Sequence, residues 1–238
     1  MRYEAESFAE RAQLSEWMDE PCSYEEFREC LRDLVRANRT LLAYRPTLKW
    51  LGRLAARTSE PLHIVDVGCG AGDMLERIER WARKKKIAVK LTGIDISPHA
   101  TRAARELARA GSQIEWHTGE AYDYRPQENI DVIVSSQFTH HLSDAEVVRF
   151  LRWMEQTAKR GWFISDLHRT RHAYLGFRVL ATVMRLHRFV RHDGPISIRR
   201  SFSRLDWMRL LEQAGLAGEA ITIEDAWPGR LCVARVKT

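Results

Sequence analysis

Three groups of residues in this 238-residue chain have the types and the spacing to do chemistry. The first is Gly68-Cys69-Gly70-Ala71-Gly72, which follows the apolar run Leu62-His63-Ile64-Val65 and precedes Met74, Leu75, Ile78 and Trp81 at helical spacing. This pattern predicts a strand, a glycine turn and a helix. Glycine removes the Cβ that would hold a ligand off the backbone, and the free N–H groups of a helix start favour an anionic group, so a nucleotide-like cofactor is expected at the turn. The second group is acidic: Asp66 just before the glycines, Asp95 closing the run 88–95, and Glu120 in Gly119-Glu120-Ala121. A carboxylate at the carboxyl end of the second strand can accept both hydroxyls of a ribose. The third is His140-His141, just after the hydrophobic run 130–138, with Asp166, His168 and Arg169 at the end of the run 161–167. An imidazole titrates near neutral pH, so a histidine placed at a hydroxyl acceptor is a candidate general base.

These side chains need strands that end on one edge of a sheet. The runs 88–95, 113–118, 130–138 and 161–167 alternate with helical patterns, and 130–138 is hydrophobic enough for the middle of a parallel sheet. Ser97-Pro98 reads as the N-cap and first residue of a helix through Ala110, Ser143 with Glu146 as a capping box, and Ser203 as the cap of a last helix stopped by Gly215. Ile221-Thr222-Ile223 and the run 231–234 flank Trp227-Pro228-Gly229 as a hairpin. The fold class is α/β with helices on both faces of the sheet, and in such sheets ligands bind beyond the carboxyl ends of the strands. A dinucleotide fold wants G-x-G-x-x-G, and here Asp73 stands where the third glycine belongs, which counts against a nicotinamide or flavin enzyme.

The segment Val65-Asp66-Val67-Gly68-Cys69-Gly70-Ala71-Gly72-Asp73 resembles the first motif of class I S-adenosylmethionine-dependent methyltransferases, and Asp95 and Gly119-Glu120-Ala121 follow in that family's order. The resemblance covers roughly residues 60–170 and 200–238, and implies a Rossmann-like, mostly parallel sheet with an antiparallel last strand. It implies S-adenosyl-L-methionine as cofactor, its methionine end on Gly68, Cys69, Gly70 and Gly72 with Asp66 organising the loop and the amino group. Asp95 and Ile96 then belong at the ribose, Glu120 and Ala121 at the adenine, and Ser136 and Gln137 at the end of the fourth strand beside the cofactor. Tyr44 or Arg45 is a candidate for the cofactor carboxylate. The segment His140-His141-Leu142-Ser143-Asp144 is similar to the H-D-W-S-D-E segment of plant small-molecule O-methyltransferases, in which the first histidine is the base; His141 and Leu142 depart from it. The implied catalytic residue is His140, with His168 in reserve. Cys69 is expected to be steric, a small side chain inside the loop.

Residues 1–57 show no strand-like alternation but helical patterns at Phe8, Leu14 and Trp17, at Phe27, Leu31, Leu34 and Val35, and from Leu41 to Leu54, with Ser23 and Glu26 as a capping box. They are expected to be a helical lid ahead of a methyltransferase domain at 58–238. Within that domain, residues 168–202 form an insertion expected to cover the substrate. From 168 to 204 there are nine arginines against the single acid Asp193. Arg171, Arg178 and Arg185 are spaced for one helical face, with Gly194-Pro195 expected to end the helix, and this basic amphipathic stretch, 171–191, suits peripheral contact with a membrane or an acidic carrier. The run Arg83-Lys84-Lys85-Lys86 reads as cations complementing a helix end.

A formal charge of +6, 45% hydrophobic residues and 29% charged residues suit a soluble globular protein. The first residues have no signal-peptide core and no run is long enough to span a membrane, so a cytoplasmic location is expected. Cys22, Cys30, Cys69 and Cys232 have no C-x-x-C spacing, and neither a zinc site nor a disulfide framework is expected from them. Nucleic-acid methylation is disfavoured because Ser135-Ser136-Gln137-Phe138 stands where an amino-methylating enzyme carries [DN]-P-P-[YFW]. The expected function is methyl transfer to a small, aromatic and hydrophobic acceptor, O-methylation with a histidine base. The alternatives are C-methylation of an activated ring, with His140 orienting the substrate, and a non-catalytic cofactor-binding partner subunit.

Overall fold

The computed structural model describes residues 8–237. Among them the chain builds a seven-stranded sheet in the order β3-β2-β1-β4-β5-β7-β6. The strands are β1 (Leu62–Val67), β2 (Val89–Asp95), β3 (Glu115–Thr118), β4 (Val132–Ser136), β5 (Gly161–Leu167), β6 (Ile221–Ala226) and β7 (Arg230–Val236). The first five pair in parallel, and β7 runs antiparallel to both β5 and β6. Every residue of β1 is buried, as are the first four of β4, because helices cover both faces of a parallel sheet. One face packs Ile133, Phe150, Trp162 and Trp207; the other packs Leu51, Ile64, Leu75 and Phe163. The strand order reverses between β1 and β4, and the crevice beyond their carboxyl ends is where such sheets take ligands.

The helices are α1 (Tyr24–Thr40), α2 (Arg45–Ala55), α3 (Asp73–Lys85), α4 (Pro98–Leu107), α5 (Asp144–Thr157), α6 (Arg171–Val183), α7 (Arg188–Arg200) and α8 (Arg204–Gln213). Their starts follow local chemistry. Ser97 caps α4, and Ser143 with Glu146 forms a reciprocal capping box on α5. Ser203 and Asp206 form another on α8. The helix α4 stops at Leu107, short of Ala110.

Two stretches depart from the periodic reading. Residues 8–16 carry no helix, and Trp17–Asp19 make a single 3-10 turn. Their backbone groups find distant partners instead of local ones. Ala12 N–H donates to the Arg199 carbonyl at 3.0 Å, and Trp17 and Met18 donate to the Asp193 carboxylate at 2.9 and 3.0 Å. Trp17 stacks on His192 at 3.7 Å rather than extending an apolar stripe.

The second departure is in the arginine-rich insertion. Gly194 and Pro195 lie inside α7 and do not end a helix; the break falls at residues 184–187, where Arg185 takes φ +50°. Asp33 accepts the His187 N–H at 2.6 Å, which starts α7 there. Gly194 serves packing, since a Cβ would come within 2.0 Å of the Phe177 ring on α6. Arg185 therefore leaves the helical face of Arg171 and Arg178. Leu175, Val179 and Val183 on α6 are exposed.

The buried Arg169 holds the amino-terminal segment to this frame. Its guanidinium donates to the carbonyls of Phe8 and Ala9 at 3.0 Å each and of Ser201 at 2.8 Å, and pairs with Asp206 at 2.9 Å. The substitution R169A is expected to cost about 3 kcal/mol, as loss of one partner of a buried ion pair does. Thermal unfolding checks the cost, and limited proteolysis checks the second expectation, new cleavage within residues 8–16.

Candidate cofactor cleft and histidine cluster

The turn after β1 is shaped by three glycines with left-handed φ of +71°, +51° and +75° at Gly68, Gly70 and Gly72. They do different work. A Cβ on Gly68 would meet the Phe138 ring at 2.6 Å and one on Gly72 the Trp116 ring at 2.2 Å, whereas one on Gly70 would meet nothing within 4 Å. The first and third permit close packing as well as the turn; Gly70 faces open space. The turn is tied to β2, with Gly68 and Cys69 N–H donating to the Ile94 carbonyl at 2.9 and 3.1 Å. Gly70 N–H donates to Asp95 Oδ2 at 2.9 Å. The buried Cys69 sits against Gly93, whose added Cβ would stand 3.0 Å from its Sγ, and burial pushes its thiol up, which suits packing rather than reactivity.

A cavity of about 110 Å³ opens beside the turn, lined by Asp66, Gly70, Asn38, Tyr44, Ser136 and Gln137 among others. Asp66 is buried, and its Oδ1 has no hydrogen-bond partner. Burial first, then the nearby Asp73 and Asp95 carboxylates, pushes its carboxyl well above the ordinary range. Asp73 accepts from Tyr44 Oη at 2.6 Å and from Asn38 Nδ2 at 3.3 Å, which closes α1 and α2 onto the start of α3. Asp95 takes the Ser97 N–H on its Oδ1 at 2.9 Å, and its backbone carbonyl accepts the Gly119 N–H at 3.0 Å, bringing Glu120 and Ala121 alongside. Ile96 and Glu120 are exposed and Ala121 is buried. Arg45 is exposed, and Tyr44 is spent on Asp73.

The sequence reading missed Arg230. This buried guanidinium donates to Gln137 Oε1 at 2.9 Å and to Asn38 Oδ1 at 3.4 Å, behind two residues that line the cavity. Burial lowers its pKa from the ordinary value, so its charge is costly where it stands.

The second constellation centres on Asp166, at the carboxyl end of β5. Its Oδ2 accepts from Thr139 Oγ1 at 2.5 Å and His140 N–H at 3.0 Å; its Oδ1 lies 2.8 Å from His140 Nδ1 and 2.7 Å from Leu167 N. Burial opposes its ionisation, yet His140 and these donors hold the carboxyl below the ordinary range. His140 Nε2 points the other way, to Glu16 Oε1 at 3.9 Å. His141 Nε2 lies 4.0 Å from Glu16 Oε2, with its Nδ1 3.5 Å from Asp19. Glu16 is buried, accepts from Ser197 Oγ at 3.0 Å, and has its carboxyl raised chiefly by that burial. No local pattern marks Glu16, since its place depends on a segment crossing the sheet edge. His168 sits apart, its Nδ1 2.9 Å from Asp225 on β6, and burial lowers its pKa.

Residues 64–161 match the family model for a methyltransferase domain. The chain carries a methyltransferase domain over these residues. That domain runs from β1 to the start of β5 and contains the glycine turn, Asp95, Glu120 and His140. Over 117 residues the chain is 32% identical to an ajmaline N-methyltransferase of Rauvolfia serpentina, an alignment covering 46% of this chain and 38% of the relative. Over 119 residues it is 30% identical to a trans-aconitate 2-methyltransferase of Mycolicibacterium gilvum, covering 50% and 42%. The chain thus spans about two fifths of the length of these curated relatives. In fold it is similar to the plantazolicin methyltransferase BpumL, solved in complex with SAH, with a TM-score of 0.63 at 14% identity over 90% of this chain and 96% of that one. It is likewise similar to human N-acetylserotonin methyltransferase, solved in complex with SAM, with a TM-score of 0.62 at 15% identity over 90% and 56%.

The methyltransferase domain keeps an unpaired acid in its core, and this has a pH consequence. A folded carboxyl raised above its unfolded value, here 3.8 for Asp66, favours the folded state while protonated. Stability of the ligand-free protein therefore falls as pH climbs from that value through the raised folded one. D66N is expected to flatten this fall. Thermal melts of both proteins from about pH 5 to about pH 8 check it, and parallel curves would refute it.

Proposed function

We propose that the protein is an S-adenosylmethionine-dependent methyltransferase that methylates a hydroxyl on a small, aromatic and hydrophobic acceptor. The observation that carries the cofactor is the orphaned Asp66 Oδ1, buried in the cleft beside the glycine that leaves open space. A buried carboxylate without a donor fits a ligand that brings a cation, and the cofactor's amino group is one. Asp66 would hold that group while the turn at Gly68, Cys69, Gly70 and Gly72 accommodates the methionine end. Asp95 accepts two backbone N–H groups and keeps acceptor capacity for the ribose hydroxyls. Ile96, Glu120 and Ala121 then flank the adenine. Ser136 and Gln137 close the cavity from the end of β4, and Leu31, Leu34 and Val35 of α1 wall it as a lid.

When bound, the cofactor supplies a methyl group already activated on a sulfonium. What remains for the chain is to hold the acceptor oxygen in line and to take its proton. Asp166 fixes the His140 ring through Nδ1, leaving the Nε2 lone pair as the base. Methyl transfer to an amine nitrogen or to a carboxylate needs less help with a proton than transfer to a hydroxyl, so dependence on His140 separates the readings.

Calorimetric titration with S-adenosylhomocysteine, with NAD as control, tests the cofactor. Binding of the first alone is expected, weakened about 10- to 100-fold by D66N, the range for a hydrogen bond to a charged group. Equal affinity in D66N would sink the assignment of Asp66. For the base, H140A is expected to lower turnover about 100-fold or more while leaving that affinity unchanged. Unchanged turnover at saturating acceptor would remove His140 from the role.

A further inference from the structure

We propose that Glu16, His140 and His141 form a binding site for one divalent ion of the zinc class. The side-chain ligand atoms of these three residues all lie within 4.8 Å of one another. Two ligands on a tetrahedral zinc ion at about 2.0–2.1 Å stand about 3.4 Å apart. The separations of 3.9 and 4.0 Å from the Glu16 oxygens to the two Nε2 atoms are beyond hydrogen-bond reach and exceed that spacing by about half an ångström, which side-chain adjustment on binding closes. A carboxylate set between two imidazole lone pairs, too far to bond either, is spaced for something between them.

The surroundings match a metal site in a second respect. A metal-bound histidine characteristically gives its other ring nitrogen to a carboxylate, which orients the ring and raises its basicity. Here His140 Nδ1 lies 2.8 Å from Asp166 and His141 Nδ1 3.5 Å from Asp19, so both Nε2 atoms turn toward Glu16. Charge points the same way. Glu16, Asp19 and Asp166 gather around the two rings, and the cation within ion-pair distance of the first two is Arg200, at 3.4 and 3.0 Å. Two imidazoles and one carboxylate are a zinc-type donor set that leaves a fourth position open. The expectation that this chain holds no metal came from its cysteine spacing, which has no bearing on ligands assembled from the amino-terminal segment and the turn after β4.

The inference touches the proposed function at one atom, for it rests on the reading of His140 as base only in its effect on turnover. The Nε2 lone pair cannot hold a metal and accept a proton at once, so an occupied site lowers O-methylation.

The test begins with the chelator-treated full-length protein. Cobalt(II) followed by its visible absorption, and zinc followed by calorimetry, are expected to bind at one equivalent. E16Q and H141A should each weaken binding at least tenfold while keeping wild-type affinity for S-adenosylhomocysteine, which shows that the fold is intact. No saturable binding, or binding unchanged in both variants, overturns the proposal. Both metal readouts are independent of the cofactor and of methyl transfer, so failure of the proposed function leaves them unaffected. Saturable binding, lost in the variants, with turnover raised by zinc would support the site and overturn His140's role as base.

Discussion

A buried carboxylate that accepts hydrogen bonds from every side is what the histidine cluster depends on. Asp166 collects Thr139 Oγ1, the backbone N–H groups of His140 and Leu167, and the His140 ring, all between 2.5 and 3.0 Å. An isolated buried charge costs several kcal/mol, and these donors are what make it tolerable. The consequence is rigidity: the turn after β4 has its hydroxyl, its backbone and its first imidazole all directed at the end of β5. The histidine at that turn has one ring orientation available while the carboxylate is satisfied.

Asp66 is the opposite case. It sits two strands away in the same sheet, equally buried, with one oxygen unpartnered. A paired acid stabilises the protein that holds it, whereas an orphaned one destabilises the empty protein and so raises what a complementary ligand gains by arriving. Arg230 adds to this picture as a buried guanidinium that leans on amides lining the same cavity. The cleft therefore holds a buried carboxyl oxygen with no partner and a buried guanidinium beside it, which a complementary ligand would relieve.

The amino-terminal segment gets its shape from polar contacts rather than periodicity. Arg169 grips its first carbonyls, Asp193 takes two of its N–H groups, and Arg11 reaches Asp144 and the carbonyls of His140 and Leu142. Those contacts carry Glu16 to the two histidines. The helix α1 reaches the cleft both through its apolar stripe, with Leu31 packed against Ala71 of the glycine turn, and through the Asn38–Asp73 hydrogen bond.

Much of the fold was legible in the residues. The strand, glycine turn and helix at 62–85, the capping box at Ser143, the cap at Ser203, the buried run of β4 and the final hairpin all stand where pattern and turn chemistry placed them. The positions of Asp66 on β1 and of Asp95 at the end of β2 were legible too, because both lie in apolar runs that read as strands. Such features depend on neighbours within a few residues, which a sequence displays directly. What the sequence did not display were meetings between distant parts: Glu16 with His140 and His141, Arg230 behind Gln137, His168 with Asp225, and the loss of a helix at Phe8–Trp17 to partners on α7. Gly194 makes the same point from the other side. Beside a proline it reads locally as a helix end, yet the Phe177 ring pressed against it makes it a packing contact within α7. Local periodicity determined the strands and helices of the sheet; only the tertiary structure, by deciding which unsatisfied groups face one another, decided the course of the amino-terminal segment and the grouping of the candidate site residues.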